Sequence, residues 1–320
     1  MKQVLAVLLA LWFCLPRAHA AEYPSRTITF VVPFAAGGPT DTLGRAVADR
    51  MGRILGQSIV IENVAGAGGS VGVERVVRAP PDGYTLCLGN WSTHVLNGAI
   101  YRLDYDLAAD LEPVALLPSA PQIIVARKDI KANNLAELIA WAKANRATLG
   151  TAGVGSAGHV SATLFEQKTG AQLTLVHYRG GGPAMTDLMG GHIDLMIDQS
   201  NTSLPQIRQG AIKAFAVTSA IRLSSDPTIP TTEEAGLKDF RVAVWHGLWA
   251  PRGTPAAILD KLGSAARQAL ADPGMIERLA AVGQAVPEPE QISSDGLRNL
   301  QQAEIAKWWP ILKAANLTAK

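Results

Sequence analysis

Cysteine is almost absent. Two occur in 320 residues, Cys14 and Cys87, and Cys14 lies in a stretch that export would remove. A mature chain with one cysteine forms no intrachain disulfide. Cys87 sits in Tyr84-Thr-Leu-Cys-Leu88, which reads as a strand with a buried thiol. Metal-binding patterns are also missing. His94, His159, His177, His192 and His246 are scattered, with no H-x-x-x-H or H-E-x-x-H spacing. Neither a metal nor another cofactor is therefore expected. Beyond the first twenty residues no apolar run reaches the ~20 residues that a spanning helix needs. There is no exact internal repeat and no low-complexity segment.

Net charge is lacking too. Lys2 supplies a basic start, Val4 to Leu15 an apolar core, and Ala18-His19-Ala20 a small-x-small cleavage site. Residues 1–20 thus read as a secretory signal peptide, cut after Ala20, so the mature protein is expected to be exported. Phe13 stands before Cys14 where lipid attachment wants a small residue. The leader carries Lys2 and Arg17 and no acid, so the mature chain has formal charge zero. A neutral exported chain has no bulk attraction to nucleic acid or to an anionic membrane. About 300 mature residues exceed what one core usually holds, which predicts two domains.

What is present is alternation. Apolar strand-like runs and amphipathic helices follow one another, the pattern of an α/β fold with parallel sheets. The stretch from Phe30 to Thr42 shows the unit: an apolar run, the turn Gly37-Gly38, then Pro39-Thr40-Asp41 as a helix start. Free N–H groups at such a turn face whatever lies beyond the strand, and an anion suits them. Strands are expected at Ser58–Glu62, Tyr84–Leu88, Val114–Leu117, Gln122–Ala126, Ala147–Ala152, Leu173–Tyr178, Ile193–Ile197, Ala214–Thr218 and Arg241–Trp249, with a mostly helical tail from Ala256. Gly89–His94 reads as a polar loop at a strand's end.

Two enzyme motifs compete for attention. Gly153-Val-Gly-Ser-Ala-Gly158 matches G-x-G-x-x-G after a strand, with Tyr178-Arg179 ending the next. No acidic ribose ligand stands there, so a generic anion turn using Ser156 fits better. Gly68-Gly-Ser-Val-Gly72 matches the nucleophile elbow, with Asp187 or Asp198 and His246 available as partners. Its glycine run is looser than that elbow requires, so Ser70 reads as a turn or capping serine. A secreted serine hydrolase stays as an alternative. Thr40, Ser92, Thr93, Ser156, Tyr178 and Asp198 all fall just after expected strands. Their coincidence at one end of successive strands suggests a pocket, with Phe34, Trp91 and Trp245 as apolar walls.

Taken in order, the motifs resemble one family. They are Tyr23-Pro-Ser25, Pro33-Phe-x-x-Gly-Gly-x-x-Asp41 with Arg45, Asn63-x-x-Gly-Ala-Gly-Gly69 with Gly72, and Pro81-Asp-Gly-Tyr-Thr-Leu86. Then come Gly153-x-Gly-Ser156 with His159, Tyr178-Arg-Gly180 with Pro183-Ala184, Asp187-Leu188, Gly190-Gly191 with Asp194, and Trp245-x-Gly-Leu-x-Ala-Pro-x-Gly-Thr-Pro255. The chain resembles the Bug or TctC receptors, the extracytoplasmic solute-binding proteins of tripartite tricarboxylate transporters. The resemblance implies a two-lobed periplasmic binding protein of type II with a Venus-flytrap closure. Lobe 1 would comprise residues 21–121 and 246–320, and lobe 2 residues 122–245. It implies a small carboxylate held between the Pro33–Asp41 and Gly153–His159 loops, then delivered to a membrane permease. A module that feeds a sensor kinase is a second alternative. Carried over by position, Phe34, Ala35, Gly38, Thr40 and Asp41 would line one side of the site. Gly155, Ser156, His159, Tyr178 and Asp198 would line the other, with Trp91, Ser92 and Thr93 from the loop between. Thr27, Ala36 and Gly44 depart from the usual Pro, Pro and Ala of the family. Asn90-Trp91 replaces a run of small residues, so Trp91 is expected to narrow the pocket or to stack on an aromatic ligand.

Overall fold

The computed structural model describes residues 22–314 and 317–318, so the leader and its cleavage site lie outside the described residues. Strand β1 is Ile28–Val32 and helix α1 is Pro39–Leu55. Ile28, Phe30 and Val32 of β1 enter one core and Val31 enters another. A strand apolar on both faces is one covered by helices on both sides. Gly37 makes the turn at φ +80°, which a side chain would resist. Pro39 then opens the helix where its missing N–H costs nothing. Leu43, Val47 and Met51 are buried along α1 at helical spacing.

The next elements are β2 (Ile59–Asn63), α2 (Ser70–Val77) and β3 (Thr85–Asn90). A π-helical turn at Ser92–Leu96 runs into the short α3 (Asn97–Ile100). The long strand β4 (Leu111–Arg127) is followed by α4 (Leu135–Asn145) and β5 (Thr148–Thr151). Then come α5 (Ala157–Thr169), β6 (Thr174–His177), α6 (Gly181–Met189) and β7 (Leu195–Gln199). Helix α7 (Ser200–Arg208) and strand β8 (Ile212–Val217) close the middle segment. Strand β9 (Ala243–Pro251) leads into α8 (Ala256–Leu270), α9 (Pro273–Ala281) and α10 (Ser294–Ala314).

The strand order is β2-β1-β3-β9-β4-β7-β5-β6, with β8 also on β4. Strand β4 joins the two halves. Its Leu111–Pro121 part pairs antiparallel with β9, whereas Gln122–Ala126 pairs with β7 and Ile123–Arg127 with β8. Partners therefore change at the Pro121–Gln122 step. In the second half Ile124 and Ala126 face one core, and Ile123 and Val125 the opposite one. Each half is thus a sheet buried between two helical layers.

Two local expectations are corrected. The segments Val114–Leu117 and Gln122–Ala126 are one strand, despite Pro113, Pro118 and Pro121. The pairing with β9 slips between Pro113 and Ala115 and again between Leu117 and Ser119. The second slip leaves Pro118 out of a ladder to which it cannot donate. The segment Gly89–His94 is not a surface loop. Gly89 and Asn90 finish β3, and Trp91 to Leu96 turn helical and are buried. The Asn90 side-chain oxygen accepts the N–H groups of Ser92 (3.0 Å) and Thr93 (3.3 Å), which caps the helical turn directly at the strand's end.

Candidate functional site

The starts of four helices meet at one cavity between the two halves. Gly38-Pro39-Thr40 begins α1, Ser156-Ala157-Gly158 begins α5, Gly181 begins α6, and Gln199 precedes α7; all line the cavity. The first N–H groups of a helix have no acceptor within it and carry its positive dipole end. Among the described residues, no Lys, Arg or His lines this cavity, and Asp198 is its one charged side chain. The arrangement can hold an anion with backbone donors and no salt bridge.

Asp41 holds the first loop in shape from behind. Its carboxylate accepts Gly37 N–H at 2.9 Å, Arg45 at 3.0 and 2.9 Å, and Asn63 Nδ2 at 3.0 Å. Asn63 Nδ2 also donates to the Phe34 carbonyl at 3.0 Å. Burial alone would raise the Asp41 pKa, but the hydrogen bonds from Arg45, Gly37 and Asn63 outweigh it and hold it below the usual range.

Thr40 is fixed by a chain of bonds. His246 Nδ1 lies 2.9 Å from the Pro118 carbonyl, so that nitrogen donates and Nε2 is left to accept. Burial lowers the His246 pKa to about 4, so the ring stays neutral near pH 7. The Thr40 hydroxyl donates to Nε2 at 3.4 Å and accepts from Asn90 Nδ2 at 3.0 Å. Asp198 is buried on the opposite side. Desolvation pushes its pKa up to about 6, against hydrogen bonds from Thr202 at 2.5 Å and Ser203 at 3.2 Å.

The halves touch through hydrogen bonds to backbone carbonyls. Ala35 N–H donates to the Arg179 carbonyl at 3.1 Å, and Asn201 Nδ2 to the Pro39 carbonyl at 2.9 Å. Tyr101 OH donates to the Val154 carbonyl at 2.9 Å. Glycines make this approach possible. A Cβ on Gly182 would overlap the Ala36 carbonyl oxygen, and one on Gly68 the Val154 carbonyl oxygen.

The profile of the tripartite tricarboxylate transporter family receptor matches residues 43–317 of this chain. The chain belongs to the TctC family. Solved structures agree in fold and extent. The periplasmic binding protein BugD is 38% identical, with a TM-score of 0.89 over 93% of this chain and 100% of that one. MatC of Rhodopseudomonas palustris, solved with bound malate, is 40% identical, with a TM-score of 0.87 over 91% and 100%. A second R. palustris protein, solved with adipate, is 34% identical, with a TM-score of 0.87 over 92% and 99%. This TctC chain therefore has the α/β, two-lobed fold of the periplasmic binding proteins. Among the described residues no helix is long and apolar enough to cross a membrane.

Of the residues singled out in the TctC sequence, Phe34, Gly38, Thr40, Ser92, Ser156 and Asp198 line the cavity. The others stand behind it or beside it. Ala35 bridges to Arg179, and Asp41 braces its loop. Thr93 is fully buried and exchanges hydrogen bonds with Asn90. Gly155 N–H donates to His159 Nδ1 at 3.0 Å, which ties the Gly153–Ser156 turn to α5. Burial and the neighbouring His177 lower the His159 pKa to about 4. Tyr178 OH donates to Asp187 at 2.6 Å. Trp91 does not wall the cavity. The helical turn that Asn90 caps directs it into the core, edge-on to Trp308 at 4.8 Å between ring centroids. Trp245 packs in the same core.

Gln122, Thr151 and Gln199 line the cavity without having been singled out. Gln122 is a polar residue inside an apolar strand, a signal that was available. Thr151 and Gln199 look like ordinary strand ends. No catalytic arrangement forms around Ser70. Its hydroxyl donates to the Ala67 carbonyl at 2.9 Å, while Asp187, Asp198 and His246 are bonded to Tyr178, Thr202 and Pro118.

Proposed function

We propose that this TctC protein captures a small carboxylate in the cavity and delivers it to the membrane permease of a tripartite transporter. The observation that carries the reading is the convergence of four helix N-termini on a cavity without a cationic side chain. The malate and adipate bound by two similar proteins support the ligand class. Phe34, Gly38, Thr40, Ser92, Ser156 and Asp198 contact the ligand, while Ala35, Asp41, Thr93, Gly155, His159, Tyr178 and Trp91 act behind them or at the lobe contact.

In this reading residues 21–121 and 246–320 form lobe 1 and residues 122–245 form lobe 2. The first boundary coincides with the change of partners in β4, and the boundary at 245/246 falls within β9. Both crossings are strands, which suits a hinge that bends without unfolding. Ligand contacts to both lobes favour the closed form, and that form is the one the permease recognises. The protein performs no catalysis and uses no cofactor. It works in the periplasm after cleavage behind Ala20, inserts in no membrane and binds no nucleic acid.

A thermal-shift screen of the mature protein against mono-, di- and tricarboxylates tests this. A ligand well above its Kd should stabilise by roughly RT ln(1 + [L]/Kd). A shift confined to carboxylates is expected. No shift with any acid, after unfolding and refolding to strip bound ligand, would overturn the reading.

A further inference from the structure

The polar side chains around the cavity are nearly all committed to one another. Thr40 donates to His246, and Ser92 Oγ donates to Asn90 Oδ1 at 2.7 Å. Gln122 donates to the Ile197 carbonyl at 3.1 Å and accepts from Ser161. Thr151 is bonded to His177, and Ser156 accepts the His159 N–H. Two neighbouring acceptors break the pattern. Gln199, only 6% exposed, has its side-chain oxygen buried without a partner. Asp198, 7% exposed, receives Thr202 and Ser203 on Oδ2, and the Gln199 backbone N–H also interacts with its carboxylate. Its Oδ1 lies on the side of Gly181, 3.5 Å from where a Cβ on that glycine would stand. Asp198, Gln199 and Gly181 all line the cavity.

A buried acceptor without a donor, as the Gln199 side-chain oxygen is, is costly, and an ionised carboxylate cannot satisfy it because it only accepts. The backbone N–H groups of the helix starts suit the ligand's carboxylate. The Asp198–Gln199 corner asks for the opposite chemistry. We propose that Asp198 Oδ1 and the Gln199 side-chain amide read a hydrogen-bond donor on the ligand, so that the cavity selects hydroxy- or amino-substituted carboxylates over their unsubstituted counterparts. This rests on the carboxylate reading above and narrows it. An ammonium would also neutralise Asp198, for which the cavity offers no other cation. A hydroxyl would bond to it without changing the charge.

The test is calorimetric titration of the full mature protein with matched acids: succinate, malate and aspartate, then glutarate, 2-hydroxyglutarate and glutamate. In at least one set the hydroxy or amino acid should bind about tenfold or more tightly than the unsubstituted acid, as one hydrogen bond to a charged group implies. Gln199→Met and Asp198→Asn, each checked for an unchanged melting profile, should bring that ratio towards one. A merely structural role would weaken both acids equally and leave the ratio alone. In Asp198→Asn, loss of the amino preference with the hydroxy preference kept identifies an ammonium reader, and loss of the hydroxy preference identifies a hydroxyl reader. Equal binding of substituted and unsubstituted acids overturns this inference while the carboxylate reading stands. A ratio unchanged in both folded variants also overturns it. Absence of binding by every acid overturns both readings together.

Discussion

A methyl group added at Gly182 should weaken ligand capture without weakening the lobe that carries it. Gly182 lies in the first turn of α6 and does not line the cavity, so no ligand contact changes. A Cβ there would overlap the Ala36 carbonyl oxygen and stand 3.0 Å from Gly37 C and 3.1 Å from Gly38 N. All three are backbone atoms of the facing loop, so no rotamer change relieves them. The lobes must separate locally by roughly 1 Å to reach ordinary contact. Overpacking of this kind costs about 1–3 kcal/mol, and here the cost falls on the closed form alone. At about 1.4 kcal/mol per factor of ten, affinity should fall about 5- to 150-fold. Within the lobe, alanine is a better helix residue than glycine by up to about 1 kcal/mol, so the melting temperature should hold or rise slightly. The assay is calorimetric titration with the acid found by the carboxylate screen, beside a thermal melt. Gly274→Ala is the control: it too lies in a first helical turn, and its Cβ would meet only Asp272, at 3.4 Å. Undiminished affinity in a folded Gly182→Ala protein would refute the close approach of the two loops.

Three other outcomes are expected. Asp41→Ala leaves the Gly37, Asn63 and Arg45 donors without their acceptor, at about 1–3 kcal/mol of stability; it should also lower ligand affinity, and equal affinity by titration would count against its bracing role. Trp91→Phe should cost about 1–3 kcal/mol in denaturant unfolding, as core substitutions do, and leave the rank order of ligands unchanged; a reordered ligand profile would return Trp91 to the cavity wall. His94 and His246 are buried with pKa values lowered by desolvation to about 3 and about 4. Both are neutral in the folded chain and protonate on unfolding below about pH 6.5, so stability is full above that pH and is lost as pH falls towards 4, at about 1.4 kcal/mol per unit for each. The raised pKa of Asp198 works the other way between about 6 and its unfolded value, offsetting one of the two, while the lowered pKa of His159 adds to them. Urea midpoints measured from pH 7 to pH 4 check the sign, and a flat profile would contradict neutral buried histidines.

The alternation of strands and helices was legible because it rests on local rules. Ile28 to Val32 are apolar on both faces, and Gly37 with Pro39 mark the turn into α1. The single strand β4 was not legible, because the three prolines read as breaks until a partner strand supplies the bulges. The Gly153–Gly158 turn was legible as a helix start, since Ser156 caps the helix it opens. The fate of Trp91 was not, because one hydrogen-bond acceptor, Asn90 Oδ1, decides whether the residues after it loop towards solvent or turn helical into the core. Gln199 was hidden for a different reason. Nothing local marks it; it matters because other chain segments leave its amide oxygen without a donor.

Cys87 offers a clock. It is 0% exposed in the middle of β3, paired to β1 on one side and β9 on the other. Burial also pushes its thiol pKa up, so little reactive thiolate forms. A thiol reagent can reach it only when the first sheet opens away from the helices that cover this face. The rate at which the native protein takes up such a reagent therefore counts openings of the first sheet one molecule at a time. Ligand that holds the molecule shut should slow that count only as far as it stabilises this sheet. The single thiol thus times the scaffold separately from the cleft.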